Sequence, residues 1–257
     1  MTCVVCGKPR TNSSADPHGQ FGHHEYQETP VAEPSIHYLL NLIQGSDEWL
    51  EQRRGMVTAS VVGRLITPKT VKPAANPDSR SLTMLLAAER ITGWTDPTYI
   101  SDDMLRGIED EPRARDWYSE NHAPVKEVGF IIRDDWGYKI GYSPDGLVGE
   151  DGLIEIKSRR QKTQLSTFLD DQPPLEVMAQ LQCGLLVSGR KWIDYVSWCG
   201  GMVPYVKRVL PSQKWFDAIT EAVATFEENV GVMVRTYERK TEGKQPVERA
   251  VEEEMVI

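Results

Sequence analysis

The stretch YSPDGLVGEDGLIEIKS, from Tyr142 to Ser158, decides the fold, because it ends in a strand-like run that carries two charges. Glu155 and Lys157 lie two residues apart in the run LIEIK, whose other residues are apolar. Removing an unpaired charge from water is costly, so charges in such a strand need a partner or a chemical role. The run therefore predicts both a core strand and a site.

Strand geometry places the two charges on one face. Side chains alternate between the faces of a strand, so Glu155 and Lys157 point one way and the neighbouring isoleucines point the other way. A glycine-rich segment of hairpin length separates Asp145 from Glu155, and a hairpin would bring the two carboxylates together. Two carboxylates and a backbone carbonyl form an oxygen-rich site suited to Mg²⁺ or Mn²⁺. A lysine beside them can hold or activate water and stabilise charge on a phosphate.

The same segment also has an ordinary structural interpretation, which is a surface hairpin with a Glu–Lys pair. The tripeptide Glu-Ile-Lys alone is weak support for catalysis, because such spacing often arises by chance. The full set is more specific, since Pro144-Asp145 precedes a glycine-rich turn and the charged strand follows it. This arrangement resembles the PD-(D/E)xK nuclease superfamily. The residues themselves point to metal-dependent phosphodiester hydrolysis.

Composition limits the remaining possibilities. The chain has 257 residues, 40% of them hydrophobic, which fits one large domain with or without a small appendage. A formal net charge of −9 disfavours bulk electrostatic binding of nucleic acid, but not a local basic groove or carboxylates neutralised by a metal. No apolar run approaches the roughly 18 residues of a membrane helix, and the N-terminus is not a secretory signal. Because four cysteines do not make a disulfide framework, we expect a reducing, cytoplasmic setting.

The residue pattern divides the chain into three parts. Residues 1–34 are rich in proline, glycine, serine and histidine, and predict an appendage that ends in a linker. Residues 35–237 alternate helical and strand-like patterns, and the charged residues 238–257 predict a loose tail. Helices and strands in mixed order predict an α/β class with a central mixed sheet flanked by helices.

Caps, turns and periodicity predict the individual elements of the middle part. We expect helices over residues 46–54, 58–66, 82–92, 102–121, 175–187 and 212–237. We expect strands over residues 127–133, 138–141, 153–158, 192–199 and 203–210. Residues 67–80 contain three prolines and predict a loop, and Pro112 predicts a kink or a first turn in the fourth helix.

Further segments carry a more specific resemblance. They are SDEWLEQRRGMVTAS (Ser46–Ser60), GIEDEPRARDWY (Gly107–Tyr118), MAQLQ (Met178–Gln182) and SGRKWIDYVSW (Ser188–Trp198). Together with SPDG and LIEIKS, they resemble in the same order the motifs of the lambda exonuclease family, also called YqaJ-like viral recombinases. The resemblance covers about residues 44–200 and implies a restriction-endonuclease-like core.

The resemblance implies a metal site. Asp145 and Glu155 would bind the metal together with the backbone carbonyl of Ile156. Glu111 would complete a second metal site or order its waters. Glu111 also lies in the acidic run 109–111, any member of which could be a solvated residue on a helix face.

The resemblance also implies catalytic roles beside the metal. Lys157 would position the attacking water and Gln180 would support it. The alternative for Gln180 is a core amide, as for Gln182 on the same mostly apolar helix. The family's additional acidic residue falls at Asp134 or Asp135, and the spacing does not choose between them.

Arg53 and Ser60 would hold DNA phosphate, including the 5′ end. Each has an ordinary alternative. Arg53 lies near a predicted helix C-terminus, where a basic side chain complements the helix dipole. Ser60 could be a plain helix N-cap, although that is also a position where helix N–H groups receive phosphate.

The N-terminal appendage contains a candidate zinc site. Its ligands would be Cys3, Cys6, His18 and His23, with spacing close to that of a Cys2His2 site. His24 competes with His23 for the fourth position, and the alternative is a disordered tail with incidental cysteines and histidines. The resemblance to lambda exonuclease does not extend to this segment.

The resemblance implies a Mg²⁺- or Mn²⁺-dependent 5′-to-3′ exonuclease of phage recombination that acts in a bacterial host. Its substrate would be double-stranded DNA ends, and its products 5′-mononucleotides and a 3′ single-stranded overhang. The implied partners are a single-strand annealing protein and further copies of the chain in a ring, most simply a trimer. The alternatives are an endonuclease or a CRISPR-adaptation-type nuclease on the same core, or a non-catalytic module that binds DNA ends.

Overall fold

The computed structural model describes residues 2–3, 26–27, 35–97 and 99–249. The chain divides into two compact units, residues 1–34 and 35–257. In the first unit, strand β1 (Thr2–Cys3) pairs antiparallel with strand β2 (Tyr26–Gln27). The candidate zinc ligands Cys6, His18 and His23 lie outside the described residues, and only the backbone of Cys3 is described.

The second unit contains both helices and strands. Its helices are α1 (Asp47–Arg53), α2 (Ala59–Val62), α3 (Pro77–Thr92), α4 (Asp102–Asn121), α5 (Gln161–Asp170), α6 (Met178–Ser188) and α7 (Gln213–Thr241), with 3₁₀ turns at Gly63–Leu65 and Leu175–Val177. Its strands are β3 (Ile36–Leu39), β4 (Val57–Thr58), β5 (Ile66–Thr67), β6 (Lys72–Pro73), β7 (Val125–Lys126), β8 (Phe130–Arg133), β9 (Ile140–Tyr142), β10 (Gly146–Val148), β11 (Gly152–Ser158), β12 (Trp192–Trp198) and β13 (Tyr205–Val209). None of the helices described in this unit is long and apolar enough to cross a membrane.

The strands form two mixed sheets and one short hairpin. The larger sheet has the order β13-β12-β11-β10-β7, in which β11 and β12 run parallel and the other pairs run antiparallel. The smaller sheet has the order β3-β8-β9-β4, with β4 and β9 parallel. Strands β5 and β6 pair with each other. The predicted α/β class with mixed pairing is confirmed, with the strands divided between two sheets.

Both faces of β11 are covered. Ile154 and Ile156 pack with Ala114 and Tyr118 of α4 in a small apolar cluster. The opposite face carries Glu155, which contacts α6. Helix α6 itself is buried along almost its whole length within the main core. The charged face predicted from the sequence therefore meets a helix rather than solvent.

A buried polar cluster ties α4 to the sheet. The hydroxyl of Tyr118 donates to Asp194 Oδ2 of β12 at 2.6 Å, and Arg208 of β13 pairs with the same carboxylate at 2.8 Å. Burial first, and Asp194 second, raise the pKa of the Tyr118 hydroxyl well above its usual range. The hydroxyl therefore remains a donor, and α4 is held at a fixed place on the sheet.

Several predicted boundaries are wrong for local reasons. Residues 67–80 are not a loop, because they include the β5–β6 hairpin and the start of α3. Pro77 occupies the first turn of α3, and Asn76 caps it through a hydrogen bond from the backbone N–H of Ser79 at 2.9 Å. Helix α4 runs unbroken through Pro112, so the first-turn alternative is wrong. Helix α5 was not predicted, and α7 extends to Thr241.

Gly184 lets α6 approach the site closely. A Cβ atom at this position would lie 2.8 Å from Cζ of Tyr142, which is closer than real Cβ contacts. The Tyr142 ring is 1% exposed, and its hydroxyl donates to Glu155. The ring therefore has little freedom to move away.

We expect the extra methyl group of Gly184→Ala to cost about 1–3 kcal/mol, as is usual when a core is overpacked. This loss opposes the gain of about 1 kcal/mol that alanine brings to a helix interior. Gly200→Ala is the control, because a Cβ atom there meets nothing within 4 Å. Urea denaturation measures both variants; Gly184→Ala should lose up to about 2 kcal/mol net, and a higher midpoint would contradict the packing argument.

Candidate active site

Three donors fix the carboxylate of Glu155, which is 1% exposed. Lys157 Nζ donates to Oε1 at 2.8 Å, and Gln180 Nε2 of α6 donates to the same oxygen. The hydroxyl of Tyr142 donates to Oε2 at 3.0 Å. The structure thus brings together Glu155, Lys157 and Gln180, as predicted, and adds Tyr142, which sequence reasoning missed.

The β10–β11 hairpin places Asp145 beside this cluster. Gly146, the residue after Asp145, pairs with Ile154, so the predicted hairpin is confirmed. The backbone N–H of Ile156 donates to Asp145 Oδ2 at 2.6 Å. Burial, and next the nearby carboxylates of Glu155 and Glu111, raise the pKa of Asp145 well above its usual range.

Glu111 approaches the same point from α4. Burial raises its pKa, although the Arg115 guanidinium that pairs with it acts in the opposite direction. Arg115 Nε also donates to the backbone carbonyl of Asp145 at 2.8 Å. Arg115 is the arginine of the Gly-x3-Glu-x3-Arg pattern in the segment GIEDEPRARDWY, one helical turn after Glu111, but the resemblance implied no role for it.

Lys157 is a protonated donor in this arrangement. Burial lowers its pKa, but the carboxylates of Glu155 and Asp145 outweigh burial and raise the pKa overall. Its ammonium group can therefore hold an oxygen atom or stabilise negative charge.

The donor set fits a hard divalent cation. Among the described residues, no three side chains of His, Cys, Asp or Glu form a ready-made metal cage. The site instead offers the carboxylates of Asp145 and Glu155, with that of Glu111 held nearby by Arg115. Mg²⁺ is usually bound through one or two carboxylates, waters and substrate phosphates, so a complete protein cage is not required. Three neighbouring carboxylates, one of them with a strongly raised pKa, favour a cation between them.

A second polar group surrounds Arg53. Its guanidinium donates to the hydroxyls of Ser143, Thr58 and Ser60 at 3.4, 3.3 and 3.1 Å. It lies 3.9 Å from the ring centroid of Trp49, whose indole N–H donates to Ser143 at 2.9 Å. Within the described part of the chain, no carboxylate forms a salt bridge with this arginine, so hydroxyl oxygens are its partners.

Burial lowers the pKa of Arg53 to about 10, with a smaller opposing effect from Glu89. A half-buried guanidinium bonded only to hydroxyls is a ready anion-binding group, because a phosphate can accept its charged hydrogen bonds. Ser60 is not the N-cap of α2, since that position belongs to Thr58, and the plain N-cap alternative is wrong. Sequence reasoning missed Ser143, whose place in the SPDG motif was the available signal.

Both polar groups line one cavity of about 510 Å³. Its walls include Arg53, Ser60, Ser143, Glu111, Asp145, Glu155, Ile156, Lys157 and Gln180. All predicted catalytic, metal-binding and DNA-binding residues of the second unit therefore meet in one place.

The two alternatives for the additional acidic residue lie elsewhere. Asp135 Oδ1 accepts from the backbone N–H of Ser35 at 2.6 Å, and its other oxygen pairs with Arg133 at 2.6 Å. Asp134 lies 3.7 Å from His37. Neither aspartate lines the cavity, so the structure does not bring them to the site.

Comparison with known proteins identifies relatives of this arrangement. Residues 48–191 match the model of the YqaJ-like viral recombinase domain. An alkaline exonuclease (LHK-Exo) from Laribacter hongkongensis is 30% identical, with a TM-score of 0.68 over 76% of this chain and 97% of that one, and its complex with dAMP gives the same values. A phage-related exonuclease from Haemophilus somnus 129PT, 11% identical over 71% of this chain and 96% of that one, has a TM-score of 0.54 and shares the fold. No curated protein sequence gives a significant match.

The carboxylate cluster predicts a stability response to divalent cations. Adding Mg²⁺ or Mn²⁺ at about 100 times its dissociation constant should stabilise the protein by about 2.7 kcal/mol. Asp145→Asn should abolish this response. In chelator the variant should be more stable than the parent, because a buried carboxylate no longer faces Glu155 and Glu111.

Thermal melts with chelator or with added cation measure both effects. Asp151→Asn on the same hairpin is the control, because this half-exposed side chain pairs with Lys191 at 3.0 Å. It should keep the full cation response. A cation response of normal size in Asp145→Asn would contradict the assignment of this metal ligand.

Proposed function

The chain belongs to the YqaJ-like viral recombinase family, and on that premise we propose that it is a Mg²⁺-dependent 5′-to-3′ exonuclease of double-stranded DNA ends. The proposal depends on one observation. A carboxylate cluster and the guanidinium of Arg53, which has no carboxylate partner among the described residues, line the same cavity. The first suits a cation and the second suits a phosphate. The terminal nucleotide of a DNA strand supplies two phosphates. Its 5′-phosphate would bind the guanidinium, and the phosphodiester that follows it would bind at the cation.

Asp145 and Glu155 would hold the metal with the backbone carbonyl of Ile156, and Glu111 would hold a second ion or its waters. When bound, Mg²⁺ polarises the phosphoryl oxygen and neutralises the charge that develops on it. Mn²⁺ has similar ligand preferences and should substitute.

Lys157 and Gln180 act next to the reacting phosphate. Both donate to one oxygen of Glu155, which fixes the carboxylate and leaves the ammonium beside the cavity. Lys157 would hold the attacking water and stabilise the developing negative charge. The water oxygen bonds to phosphorus and the bond from phosphorus to the 3′ oxygen breaks, with a proton returned to that oxygen.

This cleavage leaves a new 5′-phosphate on the shortened strand. The group around Arg53 would bind that phosphate, together with Ser60 and Ser143. Each round therefore regenerates the feature that the site recognises, and the other strand remains as a 3′ overhang.

The proposal extends to partners in phage recombination. A homo-oligomeric ring, most simply a trimer, would let a surface with net charge −9 repel DNA outside while a local channel guides it. The 3′ overhang is the substrate of a single-strand annealing protein. The N-terminal cysteines and histidines would add a structural Zn²⁺.

The direct test uses linear duplex DNA labelled at either end, with and without Mg²⁺. The 5′ label should appear early as mononucleotide, and the 3′ label should stay on a shortening strand. Covalently closed circular DNA should remain intact. Early release of the 3′ label would contradict the direction, cleavage of circles would favour an endonuclease, and binding without cleavage would favour an end-binding module.

Lys157→Ala should lower kcat by about 100- to 1,000-fold, the usual effect of removing one donor to a developing charge. DNA affinity in chelator should change little. Lys157→Arg should not restore turnover, because the larger guanidinium does not fit the same place. Lys191→Ala is the control at a surface ion pair. Weak DNA binding with normal turnover at saturation would show that Lys157 is only a phosphate contact.

Ends with 5′-phosphate should be digested about tenfold or more faster than ends with 5′-hydroxyl, since hydrogen bonds to charged groups contribute about 1.5–3 kcal/mol. Arg53→Ala should shrink this ratio rather than slow both substrates equally. Arg54→Ala is the control, because Arg54 makes none of the described hydroxyl bonds around Arg53. Equal rates on both ends by the parent protein would exclude recognition of the 5′ end by Arg53.

A further inference from the structure

Arg115 connects two of the residues proposed to bind metal. Its side chain is 14% exposed, and its Nε donates to the backbone carbonyl of Asp145 at 2.8 Å. Its Nη2 pairs with Glu111, and its Nη1 lies 3.0 Å from Glu127. Within the described residues, no other side chain forms hydrogen bonds with two of the residues that we propose as metal ligands.

The contacts with Asp145 are complementary. Arg115 holds its backbone carbonyl, while the N–H of Ile156 holds its side-chain oxygen at 2.6 Å. The aspartate is thus fixed from α4 on one side and from β11 on the other. A metal site needs this kind of support, because ligands held by a second layer of hydrogen bonds need little reorganisation when the ion binds.

An ordinary intrahelical ion pair does not account for this geometry. Such a pair contributes a few tenths of a kcal/mol and engages only residues of the helix. Arg115 is mostly buried and directs Nε away from its own helix, to the turn that carries Asp145. Its exposed partner, Glu127, is 74% exposed and adds little.

We propose that Arg115 is a positioning residue that fixes Asp145 and Glu111 relative to each other and thereby sets the affinity of the metal site. This inference rests on the proposed function, because it takes Asp145 and Glu111 as ligands. Arg115 keeps the two groups in place before the ion arrives. A side chain with the same charge and no planar fork cannot hold both partners.

The test is Arg115→Lys, which keeps the positive charge and removes the planar guanidinium with its several N–H donors. Mn²⁺ binding to the whole protein is measured from loss of the electron paramagnetic resonance signal of free Mn²⁺. The affinity should fall by about 10- to 100-fold, as for other partners that orient metal ligands. The midpoint of the Mn²⁺ dependence of kcat should shift by the same factor, with KM for DNA unchanged.

Two variants serve as controls. Arg113→Lys changes an arginine of the same helix that is 74% exposed and lies 3.9 Å from Asp110. Glu127→Gln removes the exposed partner of Arg115 alone. Both should bind Mn²⁺ with normal affinity. A purely structural role for Arg115 would lower the melting temperature and leave Mn²⁺ affinity unchanged.

The outcomes separate this inference from the proposed function. Normal Mn²⁺ affinity in Arg115→Lys, with the parent binding Mn²⁺, would overturn the role of Arg115 alone. Absence of Mn²⁺ binding by the parent would overturn the metal site and this inference together. If Arg115→Lys does not fold, Arg115→Gln replaces it, since a neutral amide cannot form the ion pair with Glu111. Normal or tighter affinity there would also overturn the inference.

Discussion

The structure depends on burying the Glu155 carboxylate between the sheet and helix α6. A buried carboxylate is tolerated when its oxygens are paired, and loss of one partner leaves a charge that costs several kcal/mol. Lys157, Gln180 and Tyr142 supply those partners from β11, α6 and β9. The bond from Gln180 joins α6 to the sheet, and Gly184 of the same helix packs against the ring of Tyr142. The packing of α6 on the sheet and the geometry of the site therefore depend on the same residues.

Charge in the cavity is arranged in two opposite ways. At one end, the carboxyl groups of Asp145, Glu155 and Glu111 lie close together, which favours a cation between them. At the other end, the guanidinium of Arg53 bonds to hydroxyl groups and is suited to bind an anion. In the proposed function, the first end would hold the cation and the second would hold the 5′-phosphate of the strand. A net charge of −9 over the whole chain hides this local pattern.

Membership of the YqaJ-like viral recombinase family and a TM-score of 0.68 to an alkaline exonuclease place this arrangement among nucleases. The surroundings of Asp145 and Arg53 also indicate a functional site. Asp145 has a strongly raised pKa because of burial and neighbouring carboxylates, and Arg53 has a lowered pKa because of burial. Perturbed pKa values of this kind cluster at functional sites.

The sequence by itself determined the hairpin, the alternation that puts Glu155 and Lys157 on one face, and the α/β class, because these follow from local periodicity and turn residues. Tertiary structure alone decided what covers that face and which distant groups join it. Ser143 and Arg115 lie in motifs visible in the sequence, but the contacts that define their roles, like those of Tyr142, are made with residues of other elements. The contacts of Asp134 with His37 and of Asp135 with Ser35 likewise join segments that are far apart in the sequence. Long-range packing sets such contacts, because partners such as Arg53 and Ser143, or Arg115 and Asp145, are 90 and 30 residues apart in the chain.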